Sequence, residues 1–230
     1  MTNKNYIIII LTLLTLSVGA QNNYIGIKGG LNLTNVFVKS TFNDKVYKMG
    51  YSGGMTYETI FKNNFSLCIN LQYNQLGFGN YFIFEDSIDP VKGSIPGTGG
   101  RKILFFNYDY LTLPVKVGYY FGGHFFGFGY FGVTPSYLIA AKTNVEGYPT
   151  STDNTNAVTK FDIGGQIELG CGFEIKKRYA IYSSILYQQS FTTLSNSKYW
   201  HDSNIRNFGF IASVGLKYNL TKKNWAKRIP

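Results

Sequence analysis

The sequence predicts an all-β chain folded as an eight-stranded antiparallel up-and-down transmembrane β-barrel, and three observations predict it. After residue 20, apolar and polar residues alternate with a period of two, which a half-buried strand requires and a helix cannot use. The connections between the alternating segments are short and long in turn. The composition agrees, with 19 Tyr, 19 Phe and 26 Gly against only 15% charged residues. Tyr and Phe favour strands, and Gly permits close backbone approach and tight curvature.

The first twenty residues stand apart from that pattern. Lys4 precedes an apolar run over residues 6–16, and Val18 and Ala20 occupy the −3 and −1 positions before Gln21. A run this short suits a secretory signal, because a membrane-spanning helix needs about 20 apolar residues. No Cys follows the expected cleavage point, which disfavours a lipoprotein. The expected organisation is a signal peptide over 1–20, a barrel over 21–220 and a basic C-terminal tail over 221–230.

The strands follow in order. The first, near residues 24–33, sets Ile25, Ile27, Leu31 and Leu33 against Gly26, Lys28, Gly30 and Asn32. The second, near 51–61, opposes Tyr51, Met55, Tyr57 and Phe61 to Ser52, Gly54, Thr56 and Glu58. The third, near 65–74, opposes Leu67, Ile69, Leu71 and Tyr73 to Ser66, Cys68, Asn70 and Gln72. The fourth, near 109–120, puts Leu111, Leu113, Val115, Val117 and Tyr119 opposite Thr112, Pro114, Lys116 and Gly118. The fifth, near 125–141, is glycine-rich and its parity is open. The sixth opposes Phe161, Ile163, Ile167, Leu169 and Phe173 to Asp162, Gly164, Gln166, Glu168 and Gly170. The seventh spans about 179–191, and the eighth carries Phe208, Phe210, Ala212, Val214, Leu216 and Tyr218 opposite Asn207, Gly209, Ser213, Gly215 and Lys217.

Lys62-Asn63-Asn64, Gly122-Gly123-His124 and Lys176-Lys177-Arg178 read as tight turns, with long polar loops near 34–49, 78–102, 142–160 and 192–206. Short periplasmic turns and long extracellular loops are the habit of outer-membrane barrels, so both termini are expected on the periplasmic side. The contents of the two faces decide between a membrane barrel and a soluble one. A soluble surface carries roughly 25–35% charged residues. The polar face here is instead Gly, Ser, Thr, Asn and Gln with a few charges, while the other face is continuous Leu, Ile, Val, Tyr and Phe. The polar face is therefore expected to line the lumen. Its charges, Lys28, Glu58, Asp109, Lys116, Asp162, Glu168 and Lys217, with Glu174, are expected to pair there as a structural network, since unpaired buried charge is costly.

Three segments resemble a known family. Gly26-Ile27-Lys28-Gly29-Gly30-Leu31-Asn32-Leu33, Tyr110-Leu111-Thr112-Leu113-Pro114-Val115-Lys116 and Ser213-Val214-Gly215-Leu216-Lys217-Tyr218 look like the PorT-like outer-membrane β-barrels. The resemblance implies a small eight-stranded outer-membrane protein; some relatives are linked to secretion or gliding machinery. The chain departs from the pattern by running on past the last strand to Pro230 instead of ending on an aromatic residue.

Sites for chemistry are sparse. His124 falls in a tight turn, and His201 stands beside Asp202 with Ser195, Ser197 and Ser203 nearby, a grouping that composition alone supplies. Asp86 and Asp89 lack the alternating ligand pattern of a calcium loop, and no His or Cys spacing suits a metal. The glycines from Gly127 to Gly132 precede no helix, so they read as strand curvature and not as a phosphate loop. Cys68 and Cys171 fall on opposite faces of non-adjacent strands, so no disulfide is expected.

The expected function is accordingly non-catalytic and without a cofactor: a structural, assembly- or secretion-associated, or loop-mediated binding role. A hydrolase or acyltransferase-type barrel and a small-molecule-binding barrel are the alternatives. The net charge of +10 is concentrated at Lys62, the 176–178 turn and the tail (Lys222, Lys223, Lys227, Arg228). With no accompanying motif it does not point to nucleic acid. Expected partners are lipopolysaccharide and phospholipid, with envelope proteins meeting the extracellular loops or the basic tail.

Overall fold

The computed structural model describes residues 20–38, 44–84, 88–89, 93–94, 100–175, 178–196, 198 and 204–221. The segment before Ala20 expected to be a signal peptide, the tail beyond Thr221, Asp86 and the Ser197, His201, Asp202 and Ser203 group lie outside them.

Eight barrel strands are present among the described residues: β1 (Ala20–Phe37), β2 (Lys48–Phe61), β3 (Phe65–Phe84), β4, β5 (Phe125–Val145), β6 (Phe161–Ile175), β7 (Tyr179–Ser190) and β8 (Arg206–Asn219). Strand β4 comes in two pieces, Gly100–Thr112 and Val115–Gly122, because Pro114 has no N–H to give the ladder. Each strand pairs antiparallel with the next, and β1 pairs with β8 from Tyr24↔Asn219 to Phe37↔Arg206, which closes the sheet. The short strands Lys45–Val46 and Ser151–Asp153 extend its loop end.

The register fixes the shape. Paired residues lead once around the wall from Ile25 to Tyr57, Ile69, Val115, Val133, Gly165, Gln189 and Phe208, and return to β1 at Asn35, ten residues above the start. Eight strands with that stagger tilt by roughly 40°, inside the range of such barrels, so each residue climbs roughly 2.5 Å along the barrel axis.

The outer face is apolar at mid-height, with Ile27 60%, Ile167 59%, Leu169 66%, Ile185 66% and Val214 66% exposed. Aromatic pairs bound this band: Phe65–Tyr119 and Tyr179–Tyr218 toward the turns, Tyr51–Tyr73 and Tyr187–Phe210 toward the loops. On β6 the band runs from Phe161 to Phe173, about 30 Å at the climb above, the thickness of a bilayer's hydrocarbon layer. Among the described residues no helix is long and apolar enough to cross a membrane, and the strands supply the crossing.

The strands reach further toward the loops than their alternation predicts. β3 continues to Phe84 and β4 begins at Gly100, so residues expected in a loop belong to the wall. Cys68 points inward and is buried, Cys171 is exposed, and both thiols are free.

Candidate functional site

The inward side chains of β3 grade the interior from the turn end to the loop end: Ser66, Cys68, Asn70, Gln72 and Asn74 are polar or small, and Leu76 and Phe78 are apolar, all buried. Other strands differ from this order: β5 and β7 carry Phe126, Phe128, Tyr130 and Tyr182 toward the turns, and β6 and β7 carry Asp162 and Ser190 toward the loops.

The charged layer sits low. Glu168 on β6 accepts from Lys116 of β4 at 2.6 Å and from Ser184 of β7 at 2.7 Å, and lies 3.7 Å from Lys28 of β1. Ser184 is in turn 2.8 Å from Ser213 on β8. A second cluster centres on Glu58 of β2, which accepts from Lys217 of β8 and from the Tyr130 hydroxyl of β5. Lys217 also donates to Tyr120 at 2.7 Å and lies 4.4 Å above the Tyr182 ring. Lys116 stands 5.0 Å over the Tyr130 ring and so joins the clusters. Every strand but β3 contributes a group to them, and β3 joins through Ser66, which donates to the Tyr130 hydroxyl at 3.1 Å. Glu58 and Glu168 are 0% and 2% exposed, so the charges are held without bulk water and depend on this pairing. Cys68, in register with Glu58 and Lys116, shares an apolar cluster with Phe126, Phe128, Tyr130, Ala180 and Tyr182 at and beneath this level. A cavity of about 120 Å³ opens at the turn end between Tyr24, Tyr120, Phe126, Glu174 and Lys217.

Five of the seven residues expected in the lumen network, Lys28, Glu58, Lys116, Glu168 and Lys217, thus meet in the belt. Asp162 points inward too, but near the loop end, where Ser190 donates to it at 2.6 Å and Thr192 also donates. Asp109 is a correction. It shares parity with Leu111, on the outer face, and accepts from the Tyr73 hydroxyl at 2.7 Å and from Gln75 at 3.3 Å. The inward positions beside it belong to Tyr108 and Tyr110, both buried. Glu174 accepts from the Tyr24 hydroxyl at 3.2 Å at the turn-end mouth. The belt therefore holds three lysines and two glutamates, and its balance is basic where the sequence pattern suggested an acidic lumen.

The upper lumen is filled by an apolar plug that sequence reasoning missed. Val36, Leu76, Phe78, Phe106, Tyr108, Tyr110, Leu138 and Ala141 from the strands meet Val158, Leu194 and Ile205 from the loops. The signal was present in residues 104–110, where Leu104, Phe106, Tyr108 and Tyr110 share the inward parity and Asn107 and Asp109 fall on the other. Lys48 is also buried inside, at the start of β2. At the loop end, Thr159 donates to the Leu194 carbonyl at 2.8 Å and Asn196 to the Asn156 carbonyl at 3.1 Å, which ties two loops together. Between them lies a polar groove of about 560 Å³ lined by Thr155, Asn156, Thr159, Lys160 and Asn196, with no carboxylate in its wall. Ser195, a member of the suspected Ser/His grouping, is buried beside Thr193, with their hydroxyls 2.7 Å apart. His124 is exposed in its turn, where its carbonyl accepts from Glu174 N–H. Among the described residues no group of His, Cys, Asp and Glu could hold a metal ion.

Residues 20–196 match the family described as outer membrane protein beta-barrel domain. The chain belongs to that family. It is an integral outer-membrane β-barrel. Solved structures of similar shape include Neisserial surface protein A, at 12% identity and TM-score 0.47 over 85% of this chain and 96% of that one. Another is outer membrane protein OprG from Pseudomonas aeruginosa, at 11% identity and TM-score 0.47 over 88% and 98%. A third is a major outer membrane protein from Thermus thermophilus, at 8% identity and TM-score 0.49 over 86% and 99%. No curated protein matches the chain in sequence.

Proposed function

We propose that this barrel is a non-catalytic, non-conducting scaffold of the outer membrane that binds other envelope or external molecules through its long loops. The observation that carries the reading is the filled lumen: an ion-paired belt across the lower barrel and an apolar plug across the upper one. Eight strands enclose a space that side chains just fill, unlike the open lumen of larger porins. The wall is then a rigid support, and binding falls to what it displays. In this reading the signal peptide is cleaved after Ala20, both termini and the tight turns face the periplasm, and the loops face outward. Lipopolysaccharide and phospholipid cover the apolar band, and the basic tail meets anionic headgroups or an envelope protein. The barrel is kin to PorT-like barrels in its strands, without the secretion role of some relatives.

The polar groove between the two tied loops is the display surface whose geometry is defined. A photo-crosslinking residue at Asn156 or Lys160 should capture envelope or external components from intact cells, while the purified barrel should pass no steady current in a planar bilayer. Reproducible stepwise conductance, or crosslinks only to lipid from both positions, would overturn the proposal.

A further inference from the structure

The turn end of the barrel is basic but for one residue. Lys62, the 176–178 turn and the tail carry its cations, and no acidic residue occurs in the three tight turns or beyond Asn219. Among the described residues below the belt, Glu174 on β6 is the single acidic side chain. It shares the inward parity of Glu168, and the Tyr24 hydroxyl donates to its Oε1 at 3.2 Å. Among the described residues it makes no ion pair. Lys217 is engaged by Glu58 and Tyr120, Lys28 and Lys116 by Glu168, and Arg178 donates to the Tyr218 hydroxyl at 3.3 Å on the outer side. A carboxylate accepts at about four lone-pair positions, and the tyrosine uses one of them.

Glu174 borders the cavity of about 120 Å³ at this mouth, whose walls include the rings of Tyr24, Tyr120 and Phe126 with Ile60 and Asn22. Rings beside a carboxylate suit an alkylammonium: the ring faces attract the cation, and the stem lies along apolar surface. The volume is that of roughly four waters at about 30 Å³ each, room for the end of one lysine side chain. An anionic guest would meet Glu174, with Lys217 already paired.

The tail leaves the wall beside this cavity. Leu220 N–H donates to the Asn23 carbonyl at 2.7 Å, Asn23 N–H to Thr221 Oγ1 at 2.8 Å, and Asn219 Nδ2 to Asn22 Oδ1 at 3.3 Å. These bonds root the segment on the strand that carries Asn22 and Tyr24. Lys222 and Lys223 come next in sequence, and residues 222–230 hold four cations and no acidic side chain. Each residue advances a chain by at most about 3.6 Å, so both lysines stay near the mouth. A group tethered this closely meets its site at an effective concentration on the order of millimolar, so a weak contact is still populated.

We infer that the basic tail folds back on the barrel and seats an ammonium of Lys222 or Lys223 in the turn-end cavity, against Glu174 and the surrounding rings. The barrel thereby stoppers its own lower mouth with the segment that follows its last strand. The tail's other cations stay outside the mouth for headgroups, and the inference does not depend on the binding role of the loops.

Zero-length carbodiimide coupling on the intact barrel in neutral detergent, with no anionic lipid to compete, tests it. Peptide mapping should find Glu174 joined to Lys222 or Lys223, and a mixture of light and heavy isotope-labelled chains should show the link within one chain. Lys222→Gln combined with Lys223→Gln, which leaves every strand intact, should abolish it. Glu174 joined instead to Lys176 or Lys177, links only between chains, or an unreacted Glu174 would each overturn the inference. Tryptic cleavage after Lys222 and Lys223 gives a second reading. It should quicken about fivefold in Glu174→Gln, because cleavage follows the undocked fraction and one cation–ring and carboxylate contact is lost. Equal rates in the parent and Glu174→Gln would overturn it too.

Discussion

Glu168 accepts from Lys116 and Ser184 and lies close to Lys28, so removing its carboxylate strands two buried ammonium groups at once. Replacing Glu168→Ala should cost about 3–5 kcal/mol, the scale for breaking a buried pair from one side. Lys28→Met should cost much less, because Glu168 keeps its shorter bond to Lys116 and the buried net charge falls. Denaturant titration of both variants in lipid vesicles measures the difference, and equal losses would contradict the shared-glutamate arrangement. In the loops, Thr155 donates to Asp153 from its backbone at 2.8 Å and from its hydroxyl at 2.6 Å. These bonds hold the Asp153 carboxyl below its ordinary range. The stabilisation they give the turn is therefore present above the ordinary carboxylate pKa and lost as pH falls through the lowered one. Thr155→Val should move the Asp153 midpoint upward in a carbon-detected NMR titration; an unmoved midpoint would count against the hydroxyl's part. Six lumen charges, the five of the belt and Asp162, were legible because period-two parity decides the side of the wall one residue at a time. Asp109 was misread for want of that same test: its parity is that of Leu111, and Tyr73 and Gln75 make an outward acid tolerable near the rim.

At the scale of the strand, the alternation identified each wall segment but stopped short of the loop ends. Above Asn74 the inward positions change from polar to apolar, so a pattern of apolar-out and polar-in no longer holds although the strand goes on. Gly77 marks that change. It has φ +141°, and a Cβ there would overlap the Phe106 carbonyl oxygen. Gly77→Ala should destabilise by about 1–3 kcal/mol, since strain and overlap combine. Gly29, on the outer face, has its nearest atom 3.8 Å from such a Cβ. Gly29→Ala should stay within about 0.5 kcal/mol. The pair of variants, unfolded side by side, separates glycine needed for shape from glycine merely allowed by lipid. The outer face gives a second graded test. Ile167 lies midway between Phe161 and Phe173, so Ile167→Arg should cost about 2–4 kcal/mol, while Tyr137→Arg near the loop-side rim should cost about 1 kcal/mol or less. A flat response with depth would remove the lipid band from this face.

For the molecule as a whole, closure is the property that the sequence could imply only by counting. Eight alternating segments fit a barrel, but the seam depends on β1 and β8 sharing a register, and nothing local in either strand announces the other. That seam runs unbroken from Tyr24↔Asn219 to Phe37↔Arg206. The sheet consequently has no free edge within the band, and opening it anywhere exposes backbone groups to hydrocarbon. Unfolding should thus be cooperative and slow in detergent, and the folded barrel should migrate differently from the boiled chain on a denaturing gel. The belt stitches strands across the lumen as well as around it, since Lys116 and Glu168 join β4 to β6 and Lys217 and Glu58 join β8 to β2. The temperature at which the folded band converts should therefore drop in Glu168→Ala and stay near the parent value in Gly29→Ala. If the unheated and boiled chains migrate together, the closed wall is wrong. If they differ but Glu168→Ala converts at the parent temperature, the wall stands and the belt contributes nothing to holding it shut.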